Sequence, residues 1–224
     1  MKRNLFLQVI IVCFLFFAEQ KALSAQLSEE NVQNWVNDKG TILLNTFNET
    51  NLEQKYKELD SLFESYIDLE YVSQFVAGKY WRQMTDAQKK KYQQLFHRYA
   101  LSLYKGFPLN FENRLSFKIT KTEITPKYAD VWTSITLAPK NPDETSLVVN
   151  VIFRLHETDG KIKIIDLTMA ESSLILSYRS RFYQMFMDAD DDIDWFLEDL
   201  EMIVVSNEKN NGLELQKFRM QKEN

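Results

Sequence analysis

The sequence predicts an α+β fold, because its hydrophobic period changes twice along 224 residues. Apolar residues recur at helical spacing through the first half. Strict apolar–polar alternation takes over between residues 115 and 169, and helical spacing returns from Leu174 onward. Helices on either side of a run of short-turned strands imply an antiparallel sheet with helices gathered against it.

The elements follow in order. Val32, Trp35, Val36, Ile42, Leu43 and Phe47 form a first helical stripe, with Gly40 as a weak point or break. Leu52, Tyr56, Leu59, Leu62 and Phe63 form a second. Asp68 is placed to cap a short third helix carrying Leu69, Val72 and Val76, which Gly78 would end. Thr85 and Gln88 fit a capping box, in which hydroxyl and amide satisfy free donors at a helix start. The helix they open carries Tyr92, Leu95, Phe96, Tyr99, Leu103 and Tyr104 and is expected to stop before Gly106 and Pro108.

Four strands come next. Leu115, Phe117 and Ile119 alternate with polar residues, as do Val131, Thr133, Ile135 and Leu137. Pro139 and Pro142 mark a loop. Leu147, Val149, Val151, Phe153 and Leu155 then give one apolar face, with Asn150, Arg154 and His156 opposite. Asp159-Gly160 suits a hairpin turn into the fourth strand, which ends near Met169. Leu174, Ile175, Tyr178, Phe182, Met185 and Phe186 return to helical spacing, and so do Ile193, Phe196, Leu197, Leu200 and Val204. The polar residues 206–224 are expected to form a frayed tail.

The N-terminus has the pattern of a secretory signal: Lys2 and Arg3, an almost wholly apolar run over residues 5–18, then small residues up to Ala25. The alternative is an uncleaved anchor, but the apolar run is short beside the ~20 residues a span requires. Cys13 lies inside that run, so residues 26–224 contain no cysteine and the fold must rest on its own core. Without residues 1–25 the chain keeps 24 basic and 31 acidic residues, a net charge of −7, and 199 residues suffice for one domain. The acidic balance and the lack of a basic patch argue against nucleic acid as a partner. The expected division is 1–25 signal peptide, 26–205 a single domain (helical 28–106, sheet 113–169, C-terminal helices 173–205), then the tail.

No catalytic constellation stands out, and no catalytic residue, metal ligand or cofactor is assigned. His97 and His156 fall on different elements and read as surface or internally satisfied side chains. There is no phosphate loop, nucleophile elbow or paired-histidine metal motif. The acidic run from Asp188 to Asp194 has Ile193 where a calcium loop needs glycine, so its carboxylates are better placed to favour a helix start. Sixteen Phe and ten Tyr against five Gly fit either a well-filled core or a lined cavity.

Two blocks carry a family resemblance. One is Ile67-Asp68-Leu69 followed by Val76-Ala77-Gly78-Lys79-Tyr80-Trp81-Arg82-Gln83-Met84-Thr85 with Gln88. The other is Ser173-Leu174-Ile175-Leu176-Ser177-Tyr178-Arg179-Ser180-Arg181-Phe182. In this order and separation the chain resembles the MlaC family, also called the toluene-tolerance family, over roughly residues 52–200. The resemblance implies a curved sheet of the nuclear-transport-factor-two type, of about four strands, packed on a helical lobe. An apolar cavity between them would hold phospholipid acyl chains.

It further implies a periplasmic phospholipid carrier that shuttles between outer and inner membranes and maintains lipid asymmetry. Its docking partners would be an inner-membrane ABC-type lipid transporter driven by ATP and an outer-membrane lipoprotein–porin complex. The lipid-contacting residues expected on this basis are Tyr80, Trp81, Phe96, Tyr99, Leu103 and Val131, with Val149, Val151, Phe153, Leu167, Tyr178 and Phe182. Arg179 is expected to pair with a carboxylate that orders its helix rather than to touch a headgroup. Three places depart from the family pattern: Ala170-Glu171 stand for Glu-Gly, Ser177 for Asn, and Ile162 for an aromatic. The rivals are a carrier of another apolar ligand, such as an isoprenoid, and a small cone-shaped enzyme. A pocket pairing a buried carboxylate with His or Tyr would favour the enzyme. N-terminal sequencing tests the export reading: the mature chain should begin at Ala25 or Gln26 and be released on outer-membrane permeabilisation. Intact Met1 on membrane-bound protein would overturn it.

Overall fold

The computed structural model describes residues 27–105, 114–141 and 143–223. The expected signal peptide, the helix stop at Gly106 and Pro108, and Pro142 lie outside them. Four helices precede the sheet: α1 (Glu29–Asn48), α2 (Leu52–Tyr66), α3 (Leu69–Ala77) and α4 (Asp86–Lys105), with a 3-10 turn at Tyr80–Arg82. The sheet comprises β1 (Leu115–Ile124), β2 (Ala129–Leu137), β3 (Leu147–Thr158), β4 (Lys161–Met169) and β5 (Ser172–Ser173). Two helices, α5 (Leu174–Asp188) and α6 (Ile193–Glu223), complete the chain.

The caps are those the sequence calls for. Asp68 accepts from the Tyr71 amide at 2.9 Å, and Gly78 ends α3 with φ +55°. The Gln88 side-chain oxygen accepts the Thr85 amide at 2.9 Å, and Thr85 Oγ1 accepts the Gln88 amide at 3.3 Å. Gly40 does not break α1. It is a contact point, because a Cβ there would meet the Phe117 ring at 2.6 Å. Glycine thus lets α1 lie close on β1.

The strands pair in sequence order, all antiparallel, and the two-residue β5 adds a fifth strand to the four expected. Two bulges bend the sheet, between Ile119 and Lys121 on β1 and at Ile165 on β4, where Arg154 pairs Asp166 but Leu155 pairs Ile164. The second bulge inserts Ile165 between Ile164 and Leu167, so three apolar residues stand close together on one stretch of strand.

Two separate cores result. In the first, Val32 and Val36 of α1 bury against Ala129, Val131, Leu155 and Ile162 on one sheet face. The second is helical and aromatic. Phe182 of α5 sits at its centre, 5.4–6.2 Å from the rings of Tyr92, Phe96, Tyr99 and Phe196 in edge-on contacts.

The expectation of a frayed tail at 206–224 is corrected. α6 continues to Glu223, and its polar residues dock on α4. Asn207 and Asn211 donate to Ser102 Oγ (3.1 Å) and to the Ser102 carbonyl (2.9 Å), and Glu208 accepts two bonds from Arg98. These residues are polar because their partners are polar, so a hydrophobic period could not show the helix.

Sheet and helices meet at Asp166. Its Oδ1 accepts the Leu167 amide (2.8 Å) and the Ile175 amide (3.0 Å), and its Oδ2 accepts the Ser173 hydroxyl at 2.6 Å. The start of α5 is thereby tied to β4. Asp166→Ala should lower stability by about 1.5–3 kcal/mol, the range for hydrogen bonds to a charged group, measured by urea unfolding. An unchanged midpoint would show that the tie contributes nothing. The turn just before α5 carries strain: Ala170 and Glu171 adopt φ +47° and +63°, a region other residues avoid and glycine does not. Glu171→Gly should therefore raise the melting temperature, by about 2–4 °C for a gain near 1 kcal/mol. A lower melting temperature would show the turn to be unstrained.

Candidate functional site: an apolar seam between sheet and helices

Between the two cores runs a cavity of about 50 Å³. β4 supplies Ile164, Ile165 and Leu167, while α5 supplies Leu174, Ile175 and Tyr178. α2, the α2–α3 junction, α3 and α4 close it with Phe63, Ile67, Leu69, Val72, Phe96, Ala100 and Tyr104. Asp166 is the one charged group in the lining, and its oxygens are held by the three bonds just described. Burial pushes the Tyr104 phenol up to about 12. Burial, followed by the neighbouring Tyr104 and Tyr99 phenols, raises Tyr178 well above the ordinary range. Both rings therefore stay neutral at physiological pH, and the cavity presents hydrocarbon and aromatic surface with no free charge.

The apolar surface extends beyond the cavity. Leu167 pairs with Phe153, Met169 with Val151, and Val151 with Thr133, so residues 149, 151, 153 and 155 share the face that the helices partly cover. β4 begins pairing with β3 at Val151, which leaves residues 147–150 with β2 as their only neighbour strand among the described residues. There Leu147 is 59% exposed, Val149 38% and Met169 47%. The face thus runs from a closed middle to an open apolar end.

On the other side of β4 lies a wider, polar groove of about 590 Å³. His156 Nε2 lies 2.8 Å from Asp68 Oδ2, and the Tyr71 ring stands 5.1 Å from the imidazole. This is the carboxylate–histidine pairing that would favour an enzyme. However, no hydroxyl or thiol is hydrogen-bonded to His156 among the described residues, so the pair lacks the nucleophile–base contact of covalent catalysis. His156 is satisfied, as expected. His97 is not, since its Nε2 is buried without a hydrogen-bond partner, 4.0 Å from Glu64.

The expected lipid-contacting residues divide by location. Phe96, Leu167 and Tyr178 line the cavity. Tyr80, Tyr99 and Phe182 are buried in the helical core, with Trp81 and Leu103 packed against it. Val131 is in the sheet core with Phe153 packed on it, Val151 is buried at the boundary, and Val149 is on the open end. Sequence reasoning did not select Phe63, Leu69, Val72 or Ile175, although each lay in a helical stripe. A stripe shows which side of a helix is buried but not against what.

Among the described residues Arg179 has no carboxylate partner, a correction to the expected ion pair. It donates to the Phe75 carbonyl (3.3 Å) and the Tyr183 hydroxyl (3.1 Å), and its guanidinium lies over the Phe75 ring. Gly78 faces the same two side chains. A Cβ there would collide with the Tyr183 hydroxyl and reach Arg179 Nη2 at 2.8 Å. The two sequence blocks are therefore the two halves of one junction between α3 and α5. The acidic run is likewise engaged in structure. Asp191 accepts from Tyr80, Asp194 from Gln88, and Asp192 caps α6 through the Trp195 amide.

No helix among the described residues is long and apolar enough to cross a membrane. A search of curated proteins finds no match. Among solved structures, the chain resembles a phospholipid-binding protein from Ralstonia solanacearum, determined in complex with a phospholipid. The TM-score is 0.64 at 16% identity, covering 78% of this chain and 97% of that one. At that identity the likeness speaks for the fold. The family model described as MlaC protein matches residues 36–202, which include both interlocked blocks and the whole seam, so the chain belongs to the MlaC family.

Proposed function

We propose that this protein is a periplasmic phospholipid carrier that holds acyl chains in the seam between its two cores. The observation that carries the reading is the seam itself: a lining of apolar side chains and neutral phenols that joins two independently packed cores. Family membership and the likeness to a phospholipid-binding protein support it. A cavity of about 50 Å³ is far below the ~300–1,000 Å³ of ordinary ligand pockets, so chains enter by parting the cores. Separate cores permit this, because each keeps its own packing when the seam widens.

The thermodynamics suit a shuttle. Two sixteen-carbon chains bury about 28–30 methylenes at roughly 0.8 kcal/mol each, more than 20 kcal/mol against exposure to water. A bilayer shields them equally well, so exchange between membrane and protein is close to neutral and needs no covalent step. Phe96, Leu167 and Tyr178 would contact the chains first, and Phe153, Val151 and Val149 would continue the path to the open end. The other expected residues form the wall behind the lining. In this reading the carrier docks on an ATP-driven inner-membrane transporter and an outer-membrane lipoprotein–porin complex, maintaining lipid asymmetry.

Native mass spectrometry of protein purified without detergent tests the proposal. Diacyl phospholipid should be present at a fixed stoichiometry and be reacquired from vesicles after delipidation. Lipid-free spectra with no uptake from vesicles would overturn it, and an isoprenoid in its place would reassign the cargo.

A further inference from the structure

We propose that the outer face of α6 is the contact surface for a second copy of this chain, the two helices lying antiparallel across a twofold axis. α6 is docked by one face. Phe196, Leu197, Leu200 and Val204 are buried in the helical core, and Asn211 is buried against α4. The opposite face carries a second apolar stripe. At 3.6 residues per turn, Trp195, Met202, Leu213 and Met220 fall within about 20° of one line along the helix, and Val205 lies beside it. All five are exposed. Apolar residues scattered singly over a surface need no explanation, but an aligned set spanning about 38 Å forms a face. The family match ends at residue 202, so Val205, Leu213 and Met220 belong to a part of α6 outside it.

The order of charges along the stripe identifies the occupant. A twofold axis passing between Asn207 and Glu208 sets Trp195 of one copy against Met220 of the other, Met202 against Leu213, and Glu198 against Lys217. Each of these pairings occurs twice. Apolar residues meet apolar residues and carboxylate meets ammonium in one register, whereas parallel helices would set like charges together. The helix dipole does not account for this order, because it acts within the first and last turns and both charges lie further in. Glu198 has no ion-pair partner among the described residues, and Lys217 has only Glu214 on its own helix, an exposed pair. Charges on the flanks of α6 are instead engaged within the chain: Glu201 with Lys91, Glu208 with Arg98 and Arg219 with Glu53. Lys209 comes opposite Ser206, next to the axis, where its stem can lie along the stripe with the ammonium in water.

A lipid surface fits this face less well. A helix that lies on a membrane is rich in lysine and arginine along its polar face. Here Asp194 and Glu198 flank one end of the stripe, and residues 26–224 carry 24 basic and 31 acidic residues. A different protein would have no need of a stripe that matches its own reverse.

Sedimentation equilibrium of the purified protein from about 1 to 500 µM should show monomer passing to dimer. Glu198→Lys or Lys217→Glu alone turns both attractive pairs into repulsive ones and should weaken the dimer about tenfold. Together the two reversals restore the pairs with their signs exchanged, and the dimer constant should return to within about twofold of the parent's. Both positions are exposed, so the melting temperature of the monomer should hardly move. Met202→Asp, within the apolar stripe, should leave monomer at every concentration. A parent protein that is monomeric throughout the range would overturn the proposal, as would a dimer that survives Met202→Asp. A double reversal that fails to restore what each single reversal weakened would overturn the antiparallel register. Monomeric parent protein that floats with phosphatidylglycerol vesicles, and ceases to do so on Met202→Asp, would assign the face to a lipid surface instead.

Discussion

The architecture depends on how β4 is held. On one side β4 completes the sheet; on the other, Asp166 takes the Ser173 hydroxyl and the Ile175 amide and so fixes where α5 begins. Next to it, the Asp68 amide donates to the Ile164 carbonyl at 3.0 Å, placing the start of α3 against the same strand. His156 then reaches Asp68 from β3. These polar ties lie at the rim of the seam, and the surfaces between them are apolar. Because hydrogen bonds are directional and dispersion contacts are not, the rim sets the relative position of the lobes. The interior only has to exclude water.

That division of labour is what the proposed carrier role requires of so small a cavity. A single continuous core would lose packing throughout if it were opened. Here the aromatic cluster around Phe182 and the sheet core around Val131 and Leu155 each close on themselves. What separates them is a strip of Ile, Leu and Phe contacts, which acyl chains can replace with contacts of the same kind. The bulge at Ile165 enlarges that strip by placing an additional apolar residue on it.

The polar groove gives the same region a second character. Alternation along β4 sends Ile164 to the seam and Lys163 to the groove, so one strand separates a hydrocarbon environment from a charged one. The carboxylate–histidine pair in the groove resembles a catalytic dyad by distance alone. Its place at the rim, joining β3 to the start of α3, gives it a structural role that requires no proton transfer.

By itself the sequence determined the fold class, the caps at Asp68, Thr85 and Gly78, the hairpin at Asp159-Gly160 and the family, because each depends on residues near one another in the chain. Local pattern also determined which face of each of the four longer strands is apolar. Only the tertiary structure decided which apolar faces meet. Phe96 and Phe182 read alike as stripe residues, yet one borders the seam and the other is enclosed by rings on every side. The continuation of α6 to Glu223 was hidden for a related reason: Asn207 and Asn211 are matched to Ser102 more than a hundred residues earlier. Burial against a particular partner is a property of pairs of positions, and a single sequence shows only one member of each pair.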